Sequence, residues 1–233
     1  MNIVLFGDGK MGHEIRKLAA ERGFHVVGSV TRHEISGEPG NAKVAIDFSH
    51  ADAIGSHLNL AIELGLNLVI GTTGWNAQLP EVRRLVNSHG LGLMYSPNFS
   101  LGVQLSFRIA QFAAQLVSAF ETHQPYIVEA HHQFKKDAPS GTALRFQQLV
   151  SEPFKQEVPT TSLRAGFIPG THRVGFDSEF DTIELVHTAR QRTGFADGAL
   201  LAARWIAGKQ GVFEFSTLID EQLNQTFGVP AKG

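Results

Sequence analysis

An α/β fold of two domains is predicted by three observations. Over residues 1–99, short and continuously apolar runs alternate with amphipathic stretches, which places parallel strands under helices on both faces. A glycine-rich turn, Gly7-Asp8-Gly9-Lys10-Met11-Gly12, directly follows the first run and opens a helical stretch. After Pro97 the rhythm changes to one long helix and several spaced strands. The predicted architecture is a Rossmann-like parallel-sheet domain (1–99 and 191–233) and an α+β domain with an open mixed sheet (100–190), the tail returning to the first domain.

Ile3 to Phe6 is the first strand, stopping at a glycine. His13 to Arg22 is read as a helix because Ile15, Leu18 and Ala19 share one face, with Gly23 as its C′ residue. Phe24 to Val30 and Val44 to Phe48 are the next strands, and Ala51 to Leu64 is a helix closed by Gly65. Leu66 to Ile70 is a fourth strand, Pro80 to Ser88 a helix with proline in its first turn, and Leu91 to Tyr95 a fifth strand. In the second domain Leu101 to Phe120 is one long helix, Tyr126 to Ala130 a strand and Ser140 to Val150 a helix. Ser162 to Ile168, Arg173 to Ser178 and Asp181 to Thr188 read as strands of one sheet, the last two close enough for a hairpin. Asp197 to Ala207 is a helix ended by Gly208, and Val212 to Phe215 is a short strand or extended piece.

Composition narrows the function classes. Among 233 residues, 42% are hydrophobic and 18% charged, enough apolar surface for a core. Twenty Lys and Arg against 22 Asp and Glu leave a formal charge of −2, so the basic surplus of a nucleic-acid binder is missing. The absence of cysteine excludes a thiolate nucleophile, cysteine-ligated zinc and iron–sulfur clusters. No apolar stretch is long enough for a transmembrane helix, and the N-terminus lacks a secretory pattern, so no membrane partner and a cytoplasmic address are expected.

The turn Gly7 to Gly12 matches the dinucleotide fingerprint in its proper context, between a strand and a helix. Gly7 makes the tight turn, Gly9 allows close backbone approach, and Gly12 lets the helix pack on the strand. Asp8, Lys10 and Met11 complete the loop, and free amides at the helix start would face a pyrophosphate. After the second strand comes Thr31-Arg32-His33, with no acid before Glu34. Arg32 is therefore the candidate for an adenosine 2′-phosphate, which favours NADPH and keeps NADH as the alternative. Asp47-Phe48-Ser49 and Gly71-Thr72-Thr73-Gly74 end the third and fourth strands and should border the same crevice.

The richest segment runs from Glu129 through His131, His132, Lys135 and Asp137 to Ser140, Gly141 and Thr142, from a strand end to a helix start. Ser140 is an N-cap candidate, and the amides of Gly141 and Thr142 would be free donors for a carboxylate. A histidine there can deliver a proton near neutral pH. A solvated basic loop is one alternative. A metal site is another, weakened because adjacent histidines on a strand point to opposite faces and no third ligand stands at a familiar spacing; no metal is expected.

Glu129-Ala130-His131-His132, Lys135 and Asp137-Ala138-Pro139-Ser140-Gly141-Thr142-Ala143 closely resemble the signature of the dihydrodipicolinate reductase (4-hydroxy-tetrahydrodipicolinate reductase) family. The resemblance extends to Gly71-Thr72-Thr73-Gly74, to Ser96-Pro97-Asn98-Phe99-Ser100-Leu101-Gly102-Val103 and to Thr193-Gly194-Phe195-Ala196-Asp197-Gly198-Ala199. It implies NAD(P)H-dependent reduction of a cyclic dicarboxylate to tetrahydrodipicolinate, in the diaminopimelate route to lysine. His131 would be the proton donor and Lys135 its catalytic partner. His132, Ser140, Gly141 and Thr142 would bind substrate, whereas Phe48, Gly71, Thr72, Thr73, Ser96, Pro97, Asn98 and Phe99 would line the cofactor side. The family pattern further implies a homotetramer formed through the second domain's sheet. The glycine loop is one residue shorter than the family's usual one, Arg32 replaces a frequent acid, and Gln133 and Phe134 stand where Arg and His are common. Another two-domain amino or imino acid dehydrogenase, resembling aspartate dehydrogenase, and a non-catalytic NAD(P)-binding module are the competing readings.

Overall fold

The computed structural model describes residues 1–228; residues 229–233, the end of the segment assigned to the first domain, lie outside the described residues. The chain forms two compact units, one of Met1–Ser100 with the segment from Arg192 onward, the other of Leu101–Gln191.

In the first unit the alternation becomes β1 (Asn2–Phe6), α1 (Lys10–Ala19), β2 (His25–Val30), β3 (Ile35–Gly37), β4 (Val44–Asp47), α2 (Ile54–Leu64), β5 (Asn67–Ile70), α3 (Leu79–Ser88) and β6 (Gly92–Tyr95). The second unit contributes α4 (Leu101–Ser118), β7 (Gln124–His131), α5 (Gly141–Phe154), β8 (Thr160–Arg164), β9 (Thr171–Asp177) and β10 (Thr182–Thr188). The chain then returns to the first unit as α6 (Thr193–Ile206), β11 (Gly211–Glu214) and α7 (Phe215–Phe227).

The first sheet has the order β11-β6-β5-β4-β1-β2-β3, parallel throughout except for β3, which runs antiparallel to β2. The strand order reverses at β1, so the loops leaving β1 and β4 flank a topological switch point, where open parallel sheets bind ligands. The core below one face joins Val4 and Phe6 of β1, Leu68 and Ile70 of β5 and Leu93 of β6 to Ile54 and Leu58 of α2 and Val82 and Val86 of α3. On α6 the residues Ala196, Gly198, Ala199, Ala202 and Ala203 are buried, a small-residue face that lets the helix lie close to β4, β5 and β6.

The second sheet is mixed, in the order β10-β9-β7-β8. β7 runs parallel to β8 and antiparallel to β9, and β9 and β10 form the predicted antiparallel pair. Ile127, Val174 and Phe176 pack one face against Val103, Phe107 and Ala110 of α4 and Phe146 and Val150 of α5. The opposite face leaves Val128, Leu163 and Val186 open, at 37%, 51% and 49% exposure.

Several elements depart from the expectation, among them α1, which begins at Lys10 rather than His13, and α5, which runs to Phe154 rather than Val150. β3 is a short, exposed edge strand with no apolar run to announce it. Beyond Phe215 the sequence reading assigns no element, yet α7 forms there with Phe215, Leu218 and Ile219 buried at helical spacing. β8 stops at Arg164, short of the expected Ile168, and the chain beyond it turns through Gly166 at positive φ. α6 begins at Thr193, one turn before the expected Asp197.

The close seating of α6 is testable. A Cβ on Gly198 would lie 1.7 Å from the Phe99 carbonyl oxygen, which is backbone and cannot yield. Gly198→Ala is expected to cost about 1–3 kcal/mol or more, lowering Tm by roughly 2–4 °C per kcal/mol; an unchanged melting curve would show that the helix can lift freely.

Candidate active site

In the first unit the glycine loop joins β1 to α1. Gly7 takes φ +92° and donates its N–H to the Val30 carbonyl at 2.8 Å, tying the turn to β2. A Cβ on Gly12 would lie 2.7 Å from the Gly7 oxygen, so only glycine lets α1 start this close. Gly9, the N-cap of α1, has open space where a Cβ would stand. A cavity of about 330 Å³ opens here, lined by Asp8, Gly9, Lys10, His13, Glu14 and Arg192. Its cations, Lys10 of α1 and Arg192 of the returning tail, come from two places in the sequence, and their proximity to uncapped helix amides suits a diphosphate. His13 and Arg192 were not among the expected residues; Arg192 is distant in sequence and arrives with the returning tail.

The neighbouring strand ends are held by one buried carboxylate. Asp47 accepts hydrogen bonds from the Ser49 N–H at 2.8 Å, the Ser49 hydroxyl at 2.6 Å and the Thr72 hydroxyl at 2.8 Å, with His57 Nδ1 at 2.7 Å on its other oxygen. The side chain of Thr72 is thus committed to the scaffold, while Thr73 is exposed. Phe48 lies across Gly71, where a Cβ would come within 2.0 Å of its ring. Ser96 caps its own loop, donating to the Asn98 carbonyl at 2.8 Å, and Pro97 is exposed. The Phe99 ring is buried against Phe48 and Phe215, so its side chain belongs to the core. Met11 is half-buried at the start of α1. Arg32 stands exposed in the tight turn between β2 and β3, which Thr31 closes onto Glu34 at 2.9 Å. Trp75, buried, donates to the Thr72 carbonyl and is structural.

In the second unit the strand register builds a polar row. His187, His172, Glu129 and Ser162 stand side by side across β10, β9, β7 and β8, and His131 pairs with Arg164 one step further along. Glu129 is fully buried and its Oε1 accepts three donors: the Ser140 N–H at 3.0 Å, the Ser162 hydroxyl at 2.8 Å and the Arg164 guanidinium at 2.6 Å. Its Oε2 faces His131 Nδ1 at 2.8 Å and His172 Nε2 at 3.8 Å. Gly170 leaves room for the His131 ring, since a Cβ there would lie 3.2 Å from Cδ2 and Nε2.

The loop from β7 to α5 is fastened to this row. Arg164 also donates to the Asp137 carbonyl at 2.6 Å, and Lys135 pairs with the Asp137 carboxylate at 2.8 Å. Ser140 is the N-cap of α5, its Oγ accepting the Ala143 N–H at 3.2 Å and lying 3.2 Å from His172 Nε2. Gly141 is exposed in the first turn with nothing over its Cα, and Thr142 follows half-buried. His132 is half-buried and its carbonyl accepts the Lys135 N–H. The set expected from sequence is therefore assembled around His131 and the α5 start. Glu129, Ser162, Arg164, Gly170 and His172 were missing from it. The signal for Glu129 was its place between Ile127 and His131 at strand period, on the face that becomes the core.

Burial would push Glu129 up, but hydrogen bonds from Ser140, Arg164 and Ser162 hold it down at about 2, so it is ionised. Burial lowers His131; the Glu129 charge opposes that, and Lys135 and Arg164 reinforce it. Burial, helped by His131, pushes His172 down to about 4. The donor atoms of Glu129, His131 and His172 lie within 4.8 Å of one another. Tetrahedral zinc with bonds of about 2.0–2.1 Å separates its ligands by about 3.3 Å. The 2.8 Å contact of Oε2 with Nδ1 is therefore closer than two ligands of one such ion would stand.

The buried histidine sets a stability window. Unfolded, His172 would titrate near 6.5, and folded near 4, so between those values only the unfolded chain binds the proton. Stability present above 6.5 is lost as pH falls toward 4. Thermal melts from neutral pH down to about 4 should show Tm falling, and His172→Gln should flatten that fall; an identical slope in the variant would assign the effect elsewhere.

Comparison with known proteins places this geometry in a family. The model of "Dihydrodipicolinate reductase, N-terminus" matches residues 1–99, and that of "Dihydrodipicolinate reductase, C-terminus" matches residues 102–219. A 4-hydroxy-tetrahydrodipicolinate reductase of Christiangramia forsetii is 32% identical over 95% of this chain and 98% of its own. One from Ralstonia pickettii is 33% identical over 82% of this chain and 80% of its own. The dipicolinate-bound dihydrodipicolinate reductase from Paenisporosarcina sp. TG-14 shares the fold, with a TM-score of 0.79 at 21% identity over 94% of this chain and 99% of that one. Matched along nearly its whole length, the chain belongs to the dihydrodipicolinate reductase family.

Proposed function

We propose that the chain reduces 4-hydroxy-tetrahydrodipicolinate to tetrahydrodipicolinate with NAD(P)H, releasing water, in the diaminopimelate route to lysine. The observation that carries the reading is the joining of His131 and the capped start of α5 through one buried carboxylate, Glu129. A proton donor and a carboxylate-binding helix start are thereby held as one body, which a small dicarboxylate requires.

The Gly7–Gly12 loop, with Lys10, His13 and Arg192 around its cavity, would hold the cofactor diphosphate. Bound NAD(P)H supplies the hydride. Arg32, exposed just beyond β2, would meet the 2′-phosphate, and NADPH is the proposed preference. His131 gives the proton, and Lys135, steered by Asp137, stabilises developing negative charge. The amides of Gly141 and Thr142, with His132, hold substrate carboxylates. The uncovered face bearing Val128, Leu163 and Val186 supports a homotetramer closed through this sheet. No helix among the described residues is long and apolar enough to cross a membrane. A cytoplasmic setting is proposed from the soluble reactants and cofactor.

The test follows NADPH and NADH oxidation with freshly generated substrate. Turnover is expected with both, faster with NADPH, and Arg32→Ala should remove that preference. His131→Ala should lower kcat by about 10²–10⁴-fold, whereas Thr142→Ala should mainly raise KM. Tight cofactor binding without turnover would leave a binding module instead, and full turnover in the His131 variant would remove that residue from the mechanism.

A further inference from the structure

We infer that Glu129 is the positioning residue of the proton donor: it fixes the neutral His131 ring with hydrogen on Nδ1, presents Nε2 as the proton-transferring atom, and locks that ring to the start of α5. The inference deepens the reductase reading and rests on it.

The carboxylate has no freedom of its own. Three donors from two segments saturate Oε1: Arg164 and Ser162 of β8 and the N–H of Ser140 at the start of α5. Oε2 is left facing the imidazoles, 2.8 Å from His131 Nδ1. That approach lies off the hydrogen-bond axis, and both atoms are buried without another hydrogen-bond partner, so the contact is chiefly electrostatic. Even off that axis, an ionised oxygen at this distance favours the positive end of an N–H dipole on Nδ1 over a lone pair there, which assigns the hydrogen to Nδ1. The Cδ2–Nε2 edge of the ring lies beside Gly170, where a side chain would intrude.

The surroundings of His131 make Glu129 the dominant counter-charge. Lys135 and Asp137 face it from the β7–α5 loop, Arg164 from β8 and His172 from β9, with His187 behind His172 on β10. Lys135, Arg164 and burial all disfavour the imidazolium. Of the two anions, Asp137 is already paired with Lys135, and the charge of Glu129 favours the protonated ring most. The hydrogen bond from the Ser140 N–H makes the same carboxylate a strut between the acid and the helix start.

Nitrogen-15 NMR of the wild-type chain reads the tautomer directly, at a pH above the titration of His131. Hydrogen on Nδ1 is expected; a neutral ring protonated on Nε2 overturns the proposal. This readout needs no turnover and no variant that folds. It therefore separates failure of this inference from failure of the reductase reading, which would appear as absent NAD(P)H oxidation. In kinetics Glu129→Gln should lower kcat about 10-fold or more and move the alkaline limb of the kcat profile to lower pH. The sign follows because the proton donor must be protonated and the lost anion had favoured that form. Glu129→Asp, which keeps the charge, should recover part of the limb. A lower kcat with the limb unmoved would reduce Glu129 to a structural support and sink the proposal.

Discussion

A carboxylate with no access to solvent must find enough donors to replace its water, and Glu129 finds three of them on two separate segments, β8 and the start of α5. Stripping a charge of water costs several kcal/mol, so the arrangement stands only if Arg164, Ser162 and the Ser140 amide are all in place. That demand fixes the register of β8 beside β7 and draws the loop after His131 back to the sheet. Arg164 repeats the constraint by holding the Asp137 carbonyl as well. The substrate-side loop is thereby ordered by the burial of one charge.

The first unit uses the same device. Asp47, also fully buried, gathers Ser49, Thr72 and His57 and so fastens the ends of β4 and β5 beside the glycine loop. Each unit thus holds its functional loops by a strand-end carboxylate paid for with local donors. The residues proposed to meet a ligand can then remain open: Gly9 and Gly141 have empty space above them, and Thr73 and Arg32 are exposed. This division explains why Thr72, Ser96 and Phe99, though part of the recognisable pattern, turn inward.

The parallel sheet was legible because its strands are short unbroken apolar runs punctuated by glycine. His131, Lys135 and Ser140 were legible because they crowd into one segment between a strand and a helix. Arg164, His172 and Arg192 were not, since each reaches its site through sheet pairing or the returning tail, which local periodicity does not encode. Glu129 stood in plain view, but both alternating faces of β7 carry apolar residues, Ile127 on one and Val128 on the other. Only the packing of α4 and α5 decides which face is buried. β3 is not legible because its three residues hold one apolar side chain, Ile35, too few for a periodicity, whereas α7 carries a readable helical spacing in Phe215, Leu218 and Ile219.

The dependence on one compensated charge can be measured by a double-mutant cycle on unfolding free energy, with Glu129→Gln, Arg164→Gln and the pair. If Arg164 is what permits the buried carboxylate, each single change strands a partner and the double change relieves it. The coupling should then reach about 2 kcal/mol or more, within the range for residues of one buried network. Additivity to within about 0.5 kcal/mol would contradict the account, because it would mean that the two groups act independently.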